Sequence, residues 1–228
     1  MKKALFLVLA MVYGIVSYGQ GFGVYAGLNL QNGKVKSSSS DYMVTTKSAM
    51  GLTVGVDYDY EISENLYASA GLAFSQYGVK YDAVYKPEDY KIWANGVLKV
   101  NYLELPLMMK YKFSSSDEMG IFGFGGFVLA FGLSGTDDYT VGGDYLETKS
   151  YTDEVKFVSN YNDKLAEDYA LLKKNNHSLR LGIGMNYNQF EFKLSYTAGL
   201  TDVAVPDPND INYSLHLGLI SLTGGMRF

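Results

Sequence analysis

The chain has 228 residues, of which 19% are charged and 15% aromatic, with 25 glycines, 21 tyrosines and no cysteine. The missing cysteine removes disulfides, thiolate metal ligands and a Cys nucleophile, and two histidines, His177 and His216, leave no His-rich metal site. A formal net charge of −5 argues against nucleic acid as a partner, because backbone phosphates demand clustered Lys and Arg.

Lys2 and Lys3 begin a leader pattern, followed by the 13-residue uncharged and mostly apolar run from Ala4 to Val16. Small residues at Ser17 and Gly19 suit signal-peptidase cleavage before Gln20. The apolar run is short for a bilayer-spanning helix. The expected division is therefore a cleaved signal peptide over 1–19 and one exported domain over 20–228.

Beyond the leader, apolar residues recur at every second position, the strand period. Phe22, Val24, Ala26, Leu28 and Leu30 open the pattern, and Met50, Leu52, Val54, Val56, Tyr58 and Tyr60 repeat it. Leu103, Leu105, Leu107, Met109, Tyr111 and Phe113 alternate with polar neighbours in the same way. Leu179 to Tyr187 and Phe190 to Ala198 follow. The segments fall at about 22–30, 48–60, 66–80, 99–113, 119–134, 178–187, 190–200 and 213–228.

Met119 to Thr136 carries no charge over 18 residues, the length of a membrane helix. Its six glycines and alternating neighbours favour a strand. Apolar parity changes near Gly125-Gly126, which predicts a β-bulge there, and a similar change near Gly218 leaves the last strand's register open.

Connections alternate between long (31–47, 81–98, 135–176) and short (61–65, 114–118, 188–189), with a medium one at 201–212. Eight strands with long external loops and tight periplasmic turns make an all-β fold: an eight-stranded antiparallel up-and-down transmembrane β-barrel of the bacterial outer membrane. Tyr58, Tyr60, Tyr111, Phe113, Tyr187, Phe190, Phe192 and Phe228 would form its periplasmic aromatic girdle. A periplasmic β-sandwich, which also alternates, is the soluble alternative.

The polar parity carries Asp57, Asp59, Glu104 and Glu191 against Lys110, Lys112, Arg180, Lys193 and Arg227. A barrel of eight strands is filled by its own side chains, and charges enclosed there must be paired. These residues are expected to form a structural ionic network, with Glu104 and Arg180 as a pair. A charged pore lining is the rival. Ser214 and His216, two apart on one strand face, admit an acyl-transfer site, although any Ser and His so spaced share a face.

In the external loop 135–176, Asn162 could cap a short helix with Asp163 in its first turn and Lys173-Lys174 in its last. Leu165, Tyr169 and Leu172 would form its apolar stripe. Such a helix either covers the barrel mouth or offers a docking surface to a secretion or surface protein. Ser37 to Ser40 reads as a flexible tract. Phe228, ending an amphipathic strand, resembles the signal read by the outer-membrane assembly machinery.

The run Tyr102-Leu103-Glu104-Leu105-Pro106-Leu107-Met108-Met109-Lys110-Tyr111-Lys112-Phe113 resembles the fourth strand of PorT-like outer-membrane barrels of the Bacteroidota. The Gly-rich fifth strand and the terminal Gly225-Met226-Arg227-Phe228 are also similar to that family. The resemblance implies an outer-membrane location and, for some members, a role in secreting proteins to the cell surface. No catalytic, cofactor or metal site is expected. The expected function is a non-enzymatic structural or accessory barrel, with lipid and the assembly machinery as partners; a small-solute channel and a lipid-modifying enzyme are the alternatives.

Overall fold

A computed structural model describes residues 21–37, 42–86, 90–115, 119–160, 165, 169–205 and 213–228. The strands are β1 (Phe22–Ser37), β2 (Tyr42–Ser63), β3 (Leu66–Tyr85), β4 (Ile92–Ser115), β5 (Met119–Gly143), β6 (Leu146–Phe157), β7 (Tyr169–Leu172), β8 (Asn175–Tyr187), β9 (Phe190–Gly199) and β10 (Tyr213–Arg227). They lie in one sheet, ordered β4-β3-β2-β1-β10-β9-β8-β5-β6-β7, and a β4–β5 pairing closes it into a barrel. Closure pairs the backbone groups that an open edge would expose to hydrocarbon. The segment expected as a signal peptide, 1–19, lies outside the described residues.

The first and last strands meet at the β1–β10 seam. Gly23 lies opposite Arg227, Gly21 N donates to Phe228 O at 2.8 Å, and Phe228 N donates to Phe22 O at 2.8 Å. Gly21 has φ +110°, and a Cβ there would stand 2.5 Å from the Asp59 carbonyl oxygen, so glycine is required. The tight turn between β8 and β9 places Asn188 at φ 52°, a conformation asparagine tolerates better than most residues.

Strand length makes the barrel lopsided. β4 and β5 have 24 and 25 residues, and β9 has 10. At about 3.3 Å per residue and a tilt of roughly 40°, β9 rises about 25 Å and just crosses the hydrocarbon, whereas β4 rises roughly 60 Å. The excess forms a tall wall on one side, in which the outer parts of β2, β3, β4 and β5 continue to pair and β6 adds to β5. Segments 31–47, 81–98 and 135–176, expected as loops, are therefore largely strand.

The expected helix in the third loop is corrected in part. Leu165 is helical, but Tyr169 and Leu172 lie on β7, which pairs in parallel with β6 through Glu154↔Tyr169 and Phe157↔Leu172. Asn162 and Asp163 are outside the described residues, as are Ser38, Ser39 and Ser40.

Neither expected parity change is a backbone irregularity. β5 pairs with β4 without a shift from Tyr102↔Gly132 to Lys112↔Phe122, so there is no bulge at Gly125-Gly126. Phe122 and Phe124 point inward, and Phe127 and Phe131 point outward, on one unbroken alternation. The inward rings fit because β8 offers glycines opposite them. A Cβ on Gly182 would lie 2.4 Å from Phe124 Cζ, and one on Gly184 would lie 2.2 Å from Phe122 Cζ. β10 likewise runs in continuous register with β1 from Tyr213 to Arg227. Leu215, Leu217 and Leu219 face inward because the interior itself becomes apolar towards the mouth.

The girdle residues Tyr58, Tyr60, Tyr111, Phe113, Tyr187, Phe190, Phe192 and Phe228 are all exposed at the tight-turn end. A broad apolar band, including Leu28, Leu52, Leu107, Leu181, Leu194 and Leu222, is exposed on the outer wall. On a soluble protein so large an apolar surface would demand a partner; on a barrel it is the lipid-facing surface.

Candidate functional site

The lumen is built in three storeys. At the tight-turn end, β2, β4, β9 and β10 each send charged side chains inward. Lys110 Nζ lies 2.6 Å from Asp59 Oδ2 and 2.9 Å from Glu191 Oε2. Lys193 Nζ reaches Asp57 Oδ2 and Glu191 Oε1, both at 2.8 Å. Arg227 reaches Asp57, Asp59 and Glu191, each at 2.9 Å, and its Nη1 also donates to Gly21 O at 2.7 Å. Three acids and three bases thus form one closed, neutral cluster. Rings flank it: Lys110 Nζ sits 4.5 Å from the Phe122 centroid and Lys193 Nζ 4.6 Å from that of Tyr25.

Above the cluster lies the second ion pair. Arg180 Nη2 donates to Glu104 Oε2 at 2.9 Å, and Arg180 Nε donates to Thr197 Oγ1 at 2.8 Å. Tyr77 OH donates to Glu104 Oε1 at 2.5 Å. Glu104 is 1% exposed. The pair expected between Glu104 and Arg180 is present, and Tyr77 is a partner that parity alone did not single out. Tyr77 shares the inward face of β3 with Ser69, Ala73 and Ser75, so its orientation was readable; its partner across the lumen was not.

Lys112 departs from the expectation. It sits apart from the cluster, donating to Tyr67 OH at 3.0 Å with its ammonium 4.3 Å from the same ring. Among the described residues the two ionic storeys therefore balance four acids with four bases, and the fifth base of the sequence count belongs to Tyr67. A residual cavity of about 50 Å³ lies among Tyr25, Asn29, Thr53, Ser75, Arg180 and Lys193. That volume suits a few waters, not a solute.

The third storey is apolar. Tyr77, Val79, Val100, Tyr102, Ala130, Leu215, Leu217 and Leu219 pack with Val155 of β6, Leu172 of β7 and Val203-Ala204 after β9. Val203 N donates to Leu215 O at 3.0 Å, and Leu172 bridges to Ala204, which ties the lid to both sides of the mouth. Sequence reasoning missed this lid because it assumed a polar interior along the whole barrel.

On the protruding wall, outside the membrane span, Asp137 accepts from Tyr81 OH at 2.9 Å. Burial pushes its carboxyl up to about 6; the Tyr81 hydrogen bond opposes the rise, and the nearby charges of Asp153 and Asp138 add to it. Ser214 and His216 lie on the outward parity of β10, away from the lumen. No described carboxylate hydrogen-bonds His216. Among the described residues no group of three or more His, Asp or Glu side chains could hold a metal ion.

A closed antiparallel barrel with an apolar outer band, an aromatic girdle and a side-chain-filled lumen defines an outer-membrane β-barrel protein. The chain belongs to the outer membrane protein beta-barrel domain family, whose model matches residues 19–205. No curated protein matches the sequence. Among solved structures, the chain is similar to Ail, the attachment invasion locus protein of Yersinia pestis, at 14% identity and TM-score 0.42, over 92% of this chain and 99% of that one. It is similar to OprG from Pseudomonas aeruginosa at 11% identity and TM-score 0.48, over 92% and 96%. It also resembles Neisserial surface protein A at 14% identity and TM-score 0.36, over 91% and 97%. The protein is located in the bacterial outer membrane.

Proposed function

We propose that this chain is a PorT-like, non-enzymatic barrel of the Bacteroidota that serves as a structural or accessory component for a secreted or surface-attached protein. The observation that carries this reading is the pairing of a side-chain-filled lumen with a one-sided external wall. Every acid and base of the ionic storeys is matched, and an apolar lid lies above them, so a conducting path would require displacing packed side chains. The wall formed by the outer parts of β2 to β6 offers Tyr145, Tyr151 and Met43 to solvent. Exposed aromatic and methionine side chains are the residue types enriched at protein interfaces.

The test is purification of the tagged full-length chain from native outer membranes in mild detergent, with co-purifying proteins identified by mass spectrometry. A stoichiometric partner other than the insertion machinery is expected, and Tyr145→Glu with Tyr151→Glu should release it without unfolding the barrel. Recovery of the chain alone, or stepwise conductance in planar bilayers, overturns the reading.

A further inference from the structure

The wall contains a fork. β5 pairs with β8 up to Phe131↔Asn175 and with β6 from Thr136↔Glu154, so between these points it changes partner. Gly132 N donates to Lys174 O at 2.8 Å at the crotch, and the Phe157 ring fills the floor, 2.2 Å from where a Gly132 Cβ would stand. Leu133 is the extra residue of a register shift between Asn101 and Tyr102, and it is exposed beside exposed Phe131.

The fork sits at the upper edge of the lipid-facing band. On the outward face, the row Phe74–Leu103–Phe131 is apolar, and the next row towards the long-loop end, Gln76–Asn101–Ser134, is polar. Gln76 Nε2 donates to Asn101 Oδ1 at 3.2 Å, and Asn101 Nδ2 donates to Ser134 Oγ at 3.0 Å. Donation runs one way along this chain and leaves the Ser134 hydroxyl proton to be given outward.

Lys99, Lys156 and Lys174 line the same groove with a single carboxylate, Glu154. Lys99 and Lys174 form no ion pair among the described residues, and Lys156 stacks 4.6 Å from the Tyr169 ring, which holds its position. Three cations against one anion, with a terminal hydroxyl donor between them, form a concave surface for an anion. Exposed Leu133 and Phe131 directly below supply an apolar contact.

We propose that this fork binds the phosphorylated headgroup of an outer-leaflet glycolipid. Lys99 and Lys174 would pair with the phosphate, Ser134 would donate to it, and the acyl chains would lie along Phe131 and Leu133. The occupant follows from position: a phosphate carried by an outer-leaflet lipid stands just above its acyl chains, the height at which the wall changes from apolar to cationic. Lysine binds phosphate as a point charge and does not need the planar fork geometry of arginine.

The test uses the full chain folded in detergent micelles and titrated with bisphosphorylated lipid A, with retained lipid counted by native mass spectrometry. One lipid A per barrel is expected. K99Q/K174Q and dephosphorylated lipid A should each weaken retention by about tenfold or more, as loss of charge-assisted contacts implies. Ser134→Ala should weaken it less, and K47Q/K80Q, elsewhere on the wall, should leave it unchanged. A heat-modifiable gel band checks that each variant is folded. Equal retention of dephosphorylated lipid A, undiminished retention by folded K99Q/K174Q, or no retention by the wild-type chain would overturn the site.

Discussion

Glu104→Leu isolates what the second ion pair does. Glu104 is almost fully buried and the Arg180 side chain is 13% exposed, so neither charge is well solvated in the lumen. Charge centres ~4 Å apart attract by roughly 4 kcal/mol at an effective dielectric of about 20. Removing one partner leaves the other buried and unpaired, at a cost of about 3–5 kcal/mol. Arg180→Met should cost a similar amount, because Glu104 would retain only the Tyr77 hydroxyl. The double variant should cost far less than the sum, about 1–3 kcal/mol, which is the penalty for orphaning that hydroxyl. Adding Tyr77→Phe should bring the triple variant within about 1–2 kcal/mol of wild type, the remainder being Thr197 Oγ1, which loses Arg180 as its donor. The assay is urea unfolding of barrels folded in lipid vesicles, with the folded fraction read from the heat-modifiable band. Additive single and double costs would refute the pairing, and single costs under about 1 kcal/mol would mean that the lumen hydrates these charges.

Other consequences are separable from this one. Asp137 has a folded-state pKa of about 6 against an ordinary 3.8, so the paired wall binds a proton that the opened strand releases. The β5–β6 ribbon should therefore gain protection as pH falls through about 6 and level off below about 4. Hydrogen exchange, corrected for intrinsic rates, reads this, and Asp137→Asn should remove the dependence. Gly132→Ala drives a methyl into the Phe157 ring and should cost about 1–3 kcal/mol, localised to β6 in hydrogen exchange; adding Phe157→Leu should recover most of it. Phe228→Ala keeps the main-chain bonds to residues 21 and 22 but removes the terminal ring. Assembly in cells should drop while refolding in detergent is unchanged, and equal losses in both would make Phe228 a packing residue only.

Alternation reports which face of a strand is apolar, and from Met50 to Tyr60 or from Leu103 to Phe113 that face is the lipid side because the lumen opposite is ionic. Where the lumen also becomes apolar, the same signal loses its meaning. Phe122 and Phe124 look like lipid-facing residues until Gly182 and Gly184 are seen to leave them room. Leu215 to Leu219 look like a register slip until Val203 and Leu172 are seen to cover them. Glu104 and Arg180 were legible because burial in a narrow barrel leaves an acid few options besides a base on the same inward parity. Tyr77 as the third member was not, because a tyrosine on that face satisfies the pattern with or without a carboxylate across the lumen.

The lid and the lopsided wall have one physical origin. β9 is just long enough to cross the hydrocarbon, and the chain following it, Val203-Ala204, folds back over the mouth at membrane level. β4 and β5 continue upward, and the strand added to β5 returns towards the barrel through Val155 and Phe157, which meet the lid from the opposite side. The low side therefore supplies the cover that the tall side packs against. Shortening the wall should loosen the lid as well as remove the external face. If the lid is the seal, deleting residues 137–153 and joining the ends with a short turn should raise conductance above that of the intact chain. If the ionic storeys alone seal the lumen, the shortened chain should remain closed, and the apolar storey would then serve only to anchor the wall.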